Sequence, residues 1–205
     1  MKLVFLSQRV DFVSDRNETR DAIDQKLMQF VLEAGYLPLQ VPNSLLKFSD
    51  NGECNFSELE MFVTSIIPCA IILSGGNDLG QSIQRDLTEG FLLNFAKDNK
   101  IPALGICRGM QMMAHWAGAH IHPVTGHVRT RHFLNGQILQ EVNSYHTFSI
   151  AECPHEFDIL AYSEDGQIEA FRHKSLPWEG WMWHPEREQK FSQEDIHRVR
   201  SLFGT

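Results

Sequence analysis

Positive charge is scarce in this chain: 18 Lys and Arg stand against 26 Asp and Glu across 205 residues, giving a formal net charge of −8. Nucleic acid and anionic membrane surfaces are bound by a cationic excess, so neither is expected as a partner. Cysteine is sparse as well, at positions 54, 69, 107 and 153 with no Cys-x-x-Cys pair. In a chain of this size the pattern suggests reduced thiols rather than a disulfide framework, and it points to the cytoplasm. Long apolar runs are also missing. Met1-Lys2-Leu3-Val4-Phe5-Leu6 gives way to Ser7-Gln8-Arg9 before it could form a signal core or a spanning helix, so neither export nor membrane insertion is expected. With no internal repeat, low-complexity tract or linker, and 42% hydrophobic residues, the chain reads as one domain over 1–205.

What is present alternates between two periods. A buried strand over Lys2–Leu6 is followed by a polar loop and a helix with Ile23, Leu27, Phe30, Val31 and Ala34 on one face, ended by Gly35. Strands follow at Tyr36–Val41, Cys69–Leu73 and Ile101–Ile106, interleaved with helices near Ser57–Ile67, Arg85–Asn99 and Arg108–Ala117. This predicts an α/β fold with an open, mostly parallel sheet flanked by helices. After Ile121 the runs shorten, and Leu134-Asn135-Gly136-Gln137 and Glu164-Asp165-Gly166-Gln167 read as hairpins or edge strands, so the sheet should be mixed at one side. A last helix is expected from Ser192, with Asp195 three residues on, to Phe203. Reactive groups of such sheets gather beyond the carboxyl ends of the strands, here the loops after Leu6, Leu73 and Ile106.

Gly105-Ile106-Cys107-Arg108-Gly109 sets a cysteine between strand and helix with a glycine two residues away on either side. That is the spacing of a nucleophile elbow, where a β-carbon at either glycine would collide with neighbouring backbone. The positive end of the following helix favours the thiolate. A structural cysteine in a Gly-rich turn is the alternative. Trp183-His184-Pro185-Glu186 supplies a base and, two residues on, a carboxylate to orient it; a surface His–Glu pair is the competing reading. Ser74-Gly75-Gly76 ends a strand with two glycines, which lets backbone amides point into a cavity, although a plain tight turn has the same sequence.

These segments, with Met110-Gln111 and Asn143-Ser144-Tyr145-His146, resemble the class I glutamine amidotransferase-like hydrolases, a group that includes the γ-glutamyl hydrolases. They stand in that family's order and span most of the chain. The resemblance implies Cys107 as nucleophile, His184 as general base and acid, Glu186 as orienting carboxylate, and the amides of Gly76 and Arg108 as oxyanion donors. It also implies that Gly75, Gln111, Asn143, Ser144 and Tyr145 hold the glutamyl part of the substrate, and it implies no cofactor.

Such a chain either feeds ammonia to a separate synthase partner or acts alone on a small γ-glutamyl compound. Asn77-Asp78 after the glycine pair, together with Asn143-Ser144-Tyr145-His146, is more similar to the free-standing hydrolases. A retained pocket that binds γ-glutamyl ligands without reacting is a further alternative. Arg16 and Arg20 in one loop, and Arg129 and Arg131 in Gly126-His127-Val128-Arg129-Thr130-Arg131-His132, suggest an anion site, unless their acidic neighbours pair with them. Both segments resemble those of hydrolases that release glutamate from a γ-glutamyl nucleotide amide, of the cytidine-diphosphate kind, in bacterial capsule phosphoramidate synthesis. Thr147-Phe148 departs from the related pattern and leaves His146 a structural role. His115, His120 and His122 lack a carboxylate or cysteine set at ligand spacing, so no metal is expected. Trp178, Trp181 and Trp183 read as core or pocket wall.

Overall fold

The computed structural model describes residues 1–204. The first strand, β1 (Leu3–Ser7), is followed by a hairpin of β2 (Arg9–Val13) and β3 (Glu18–Ala22), then α1 (Gln25–Glu33) and β4 (Leu37–Val41). A second small ribbon, β5 (Lys47–Phe48) with β6 (Cys54–Asn55), leads to α2 (Ser57–Ser65), β7 (Ala70–Leu73), α3 (Ile83–Asp98), β8 (Ala103–Ile106) and α4 (Arg108–Trp116). The last third is strand-rich: β9 (Ile121–Pro123), β10 (Val128–Phe133), β11 (Asn135–Gly136), β12 (Glu141–Tyr145) and β13 (Phe148–Ile150). It closes with β14 (Phe157–Tyr162), β15 (Ile168–His173), β16 (Trp178–Trp181) and α5 (Gln193–Phe203).

Eight strands form one sheet in the order β11-β14-β15-β16-β8-β7-β1-β4. The pairs β1–β4, β1–β7, β7–β8 and β8–β16 are parallel, whereas β11, β14, β15 and β16 pair antiparallel, as expected for a parallel sheet with a mixed edge. The central strands are buried on both faces, and the period of two divides their side chains between two cores. Val4, Leu6, Ala70, Ile72, Leu104 and Ile106 face one core, shared with Leu27 and Phe30 of α1 and Val199 of α5. Phe5, Ile71, Leu73 and Ala103 face the other, shared with Leu59 of α2, Leu92 of α3 and Met113 of α4. Ser192 caps α5 by accepting the Asp195 N–H at 3.3 Å, and Gly35, at φ 95°, follows the end of α1. Among the described residues no helix is long and apolar enough to cross a membrane.

One local expectation is corrected. The segment after β1 is a hairpin, not a polar loop: β2 and β3 pair from Arg9↔Ala22 to Val13↔Glu18, and both strands are half-buried or exposed on both faces, so no alternation betrays them. Of the readings offered for Asn135-Gly136 the edge strand holds, paired with Tyr162 and Ala161. Its glycine is demanded by contact, since a β-carbon there would lie 2.6 Å from the Leu160 carbonyl oxygen. Glu164–Gln167 does form the turn between β14 and β15. Trp178, Trp181 and Trp183 are all core, with Trp181 and Trp183 stacked at 5.2 Å.

Candidate active site

The ends of β1, β7 and β8 converge, and the elbow is the tightest of the three junctions. Cys107 stands between β8 and α4 at φ 51° and ψ −107°, with its N–H donating to the Trp181 carbonyl at 2.7 Å. A β-carbon on Gly105 would lie 2.6 Å from the Gly109 backbone, and one on Gly109 would run into the Leu73 carbonyl. The glycines therefore let β7, β8 and α4 meet closely enough to present the thiol. The opening amides of α4, Arg108 N–H among them, have no acceptor within the helix.

His184 and Glu186 follow β16 and are both buried. The His184 ring is bonded through Nδ1 to Glu186 Oε1 at 2.6 Å. Gly75 makes room for it, because a β-carbon there would sit 2.5 Å from His184 Cε1. Burial pushes the imidazolium toward losing its proton, but the negative charges of Cys107 and Glu186 outweigh that and raise its pKa to about 10. Asn143 fixes the backbone of the same residue, accepting His184 N–H at 3.0 Å through Oδ1 and donating to the His184 carbonyl at 2.8 Å through Nδ2. The Tyr145 ring meets the His184 ring edge to face at 5.8 Å and carries the Arg187 guanidinium 4.6 Å above its centroid.

Behind the glycine pair lies a buried cation that the sequence did not single out. Arg85, fully buried on α3, donates to the carbonyls of Ser74 (2.6 Å), Gly75 (3.1 Å) and Gly76 (2.8 Å). All peptide bonds described are trans, so turning the Gly75 carbonyl to Arg85 aims the Gly76 N–H the other way. Arg85 Nε also donates to Glu89 Oε1 at 3.0 Å, and that oxygen accepts Ser7 Oγ–H at 2.7 Å. The Arg108 side chain completes the cluster by pairing with Glu89 and Asp86. Burial pushes Arg85 down to about 10 and Arg108 to about 9, which leaves both charged at neutral pH.

Two small clefts of about 240 and 250 Å3 flank His184, and both are bordered by Arg9, Gly76 and Arg187. The second also holds Cys107, Gln111 and Tyr145. A larger hollow of about 780 Å3, walled by Phe56, Ile83, Phe91 and Trp116, holds no thiol or hydroxyl. Cys107, His184, Glu186, Gly75, Gly76, Arg108, Gln111 and Tyr145 are thus gathered as expected. Asn143 is nearby, but its amide is engaged with His184 and with Glu188 at 2.8 Å. Ser144 is withdrawn: it is fully buried and its hydroxyl donates to the His127 carbonyl at 2.7 Å.

The four arginines expected to bind an anion are not brought together at either cleft. Arg16 lies exposed in the β2–β3 turn and Arg129 lies exposed on β10. Arg20 pairs with Glu18, and Arg131 donates to Glu188 at 2.9 Å. The cations at the site are Arg9, which is paired with Asp11 at 2.7 Å, and Arg187. Arg9 was visible at the edge of the first loop, and Arg187 directly follows the His-Pro-Glu run.

The family model described as glutamine amidotransferase class-I matches residues 49–200. A γ-glutamyl-CDP-amidate hydrolase of Campylobacter jejuni is 41% identical over 133 residues, covering 62% of this chain and 66% of that protein. An aminodeoxychorismate synthase of Streptomyces griseus is 37% identical over 125 residues, covering 56% of this chain and 17% of that protein. The chain thus spans less than two thirds of the length of either. A glutamine-hydrolysing GMP synthase subunit of Methanothrix thermoacetophila is 30% identical over 149 residues, 67% of this chain and 77% of that protein. The fold is that of a GMP synthase subunit-like protein from Thermoplasma acidophilum, with a TM-score of 0.72 at 21% identity over 100% of this chain and 94% of that one. A glutamine amidotransferase from Thermotoga maritima gives 0.63 at 16% identity over 98% and 82%.

Two measurements check this geometry. Gly109→Ala should lower unfolding free energy by at least about 3 kcal/mol, because backbone rather than a flexible side chain blocks the added methyl; a urea midpoint equal to wild type would refute the close approach. Glu89→Gln should cost about 3–5 kcal/mol by leaving two buried guanidinium groups without their shared carboxylate, and a loss below about 1 kcal/mol in the same titration would argue against the cluster.

Proposed function

Because the chain belongs to the class I glutamine amidotransferase family, we propose that it cleaves a γ-glutamyl amide by covalent catalysis and releases glutamate. The observation that carries this reading is the buried His184 imidazole, bonded at 2.6 Å to Glu186 and sharing a cleft with Cys107. In the reaction, the Cys107 thiolate attacks the γ-carbonyl carbon, and the resulting oxyanion is met by the N–H groups of Gly76 and Arg108. His184 gives its proton to the leaving nitrogen as the C–N bond breaks, leaving a γ-glutamyl thioester. Neutral His184 then takes a proton from water, which attacks the thioester and returns the thiol with free glutamate.

The substrate reading is a γ-glutamyl nucleotide amide. It is supported by similarity to the Campylobacter jejuni hydrolase and by Arg9 and Arg187, which line both clefts with His184, so that a pyrophosphate attached to the γ-nitrogen would meet Arg187 and compete with Asp11 for Arg9. A second reading, a glutaminase subunit delivering ammonia to a separate synthase, is favoured by the GMP synthase relatives. Glutamate release from glutamine and from a γ-glutamyl cytidine-diphosphate amide separates the two. Preference for the nucleotide compound supports the free-standing hydrolase, whereas slow turnover of both, rising with an added synthase, supports the ammonia-delivering role.

Cys107→Ala should reduce turnover about a millionfold; residual activity within about tenfold of wild type would exclude the covalent route. With His184 protonated up to about pH 10, the alkaline limb of kcat/KM should fall there in wild type. Glu186→Gln removes one of the two negative charges holding that proton, so its limb should move to lower pH and kcat should drop. An unmoved limb would assign it to another group. Arg9→Gln or Arg187→Gln should raise KM for the nucleotide compound about tenfold or more, the worth of one charge-assisted hydrogen bond, with KM for glutamine unchanged; equal effects on both substrates would count against a pyrophosphate contact.

A further inference from the structure

Away from the thiol, four side chains from three separate segments point buried polar atoms at one spot. His127 precedes β10, His132 lies on it, His146 follows β12, and Glu169 lies on β15. Glu169 Oε1 stands 3.6 Å from His127 Nδ1, 3.4 Å from His132 Nε2 and 3.3 Å from His146 Nε2. At these separations none of the three contacts has the geometry of a good hydrogen bond, and all three nitrogens and both Glu169 oxygens are buried with no other hydrogen-bond partner. Glu169 is fully buried, and the side chains of His146 and His127 are 1% and 5% exposed. The donor atoms of His127, His132 and Glu169 lie within 4.8 Å of one another.

The far sides of two rings decide what the near sides can do. His127 Nε2 is 3.0 Å from Asp165 Oδ2, and His146 Nδ1 is 3.0 Å from the Phe148 carbonyl oxygen. Both partners are pure acceptors, so each ring places its N–H there, and a neutral ring then turns a lone pair toward Glu169. The lone pairs of His127 and His146 turned toward a buried carboxylate call for a cation between them. Carboxylate and carbonyl groups behind ligating histidines are also the usual second layer of a metal site. The three separations from Glu169 agree: bonds of about 2.0–2.2 Å to a tetrahedral zinc ion place neighbouring donors about 3.3–3.6 Å apart.

We infer that His127 Nδ1, His132 Nε2 and Glu169 Oε1 form the core of a structural site for one divalent transition metal of the zinc class, with His146 Nε2, 3.3 Å from Glu169, swinging in as the fourth donor. Three imidazoles and one carboxylate suit zinc, and burial leaves no open position for chemistry. The ion would tie the β10–β12 ribbon, which carries Asn143 and Tyr145, to β15 of the main sheet. The site lay outside the sequence pattern because its donors are dispersed from 127 to 169, unlike His115, His120 and His122.

The test is zinc titration of the full chain after chelation, followed by elemental analysis, in both wild type and Cys107→Ala so that the thiol is not the donor. Uptake of about one zinc per chain is expected in both, and cobalt in its place should show the intense visible absorption of a tetrahedral centre. Glu169→Gln should weaken zinc binding at least about 100-fold, and Asp165→Asn, at an exposed turn where folding is not at risk, about 10–100-fold. No zinc uptake by wild type, loss of uptake in Cys107→Ala, or affinity unchanged in both Glu169→Gln and Asp165→Asn would each overturn the assignment.

Discussion

The geometry of the site depends on one buried cation, Arg85. Its planar fork reaches three successive carbonyls of the β7 turn and the Glu89 carboxylate, a set of acceptors that a point charge such as lysine would not match. Through Glu89 the same cluster reaches Ser7 at the end of β1 and Arg108 at the start of α4. Ser7 Oγ in turn accepts the Ser74 N–H at 2.9 Å. The loops after three parallel strands are therefore joined behind the cleft by polar contacts. The direction of the Gly76 amide follows from where its neighbour's carbonyl is tied.

On the opposite wall, orientation is also supplied from the rear. Asn143 clamps the His184 backbone from β12, and Glu186 clamps its ring from the short turn that follows. The hydrophobic sheet brings the two walls to the same edge, and the buried hydrogen bonds then set the angles. The β2–β3 hairpin joins this frame through Asn77, whose amide accepts the Val10 N–H at 2.7 Å and donates to the Val10 carbonyl at 2.9 Å. The hairpin thereby brings Arg9 against Gly76.

Much of this was legible in the sequence wherever a residue type is the sole solution to a steric problem. Gly105 and Gly109 around Cys107 allow few other arrangements, and the fully apolar strands announced a doubly covered sheet. The hairpin after β1 was not legible, because its exposed strands carry no alternation. The arginines misled for a related reason: charge along a chain does not reveal which cations are already paired. Glu18 and Glu188 engage Arg20 and Arg131 away from the clefts, while Arg9, paired with Asp11, and Arg187 stand at them. Asn143 was found by its motif, yet its amide groups serve His184.

The conformation of Cys107 bears on how this chain can lose its chemistry. A non-glycine residue at φ 51° and ψ −107° occupies a sparsely populated region, at a cost of about 1–3 kcal/mol. Glycine would adopt the same backbone without that penalty. The nucleophile is thus the residue that the elbow itself disfavours, and selection for fold alone would drift toward glycine at 107. In a descendant released from catalysis that exchange would relieve the backbone while giving up the packing of a buried thiol, so an inert protein that keeps the cleft lies one codon change away.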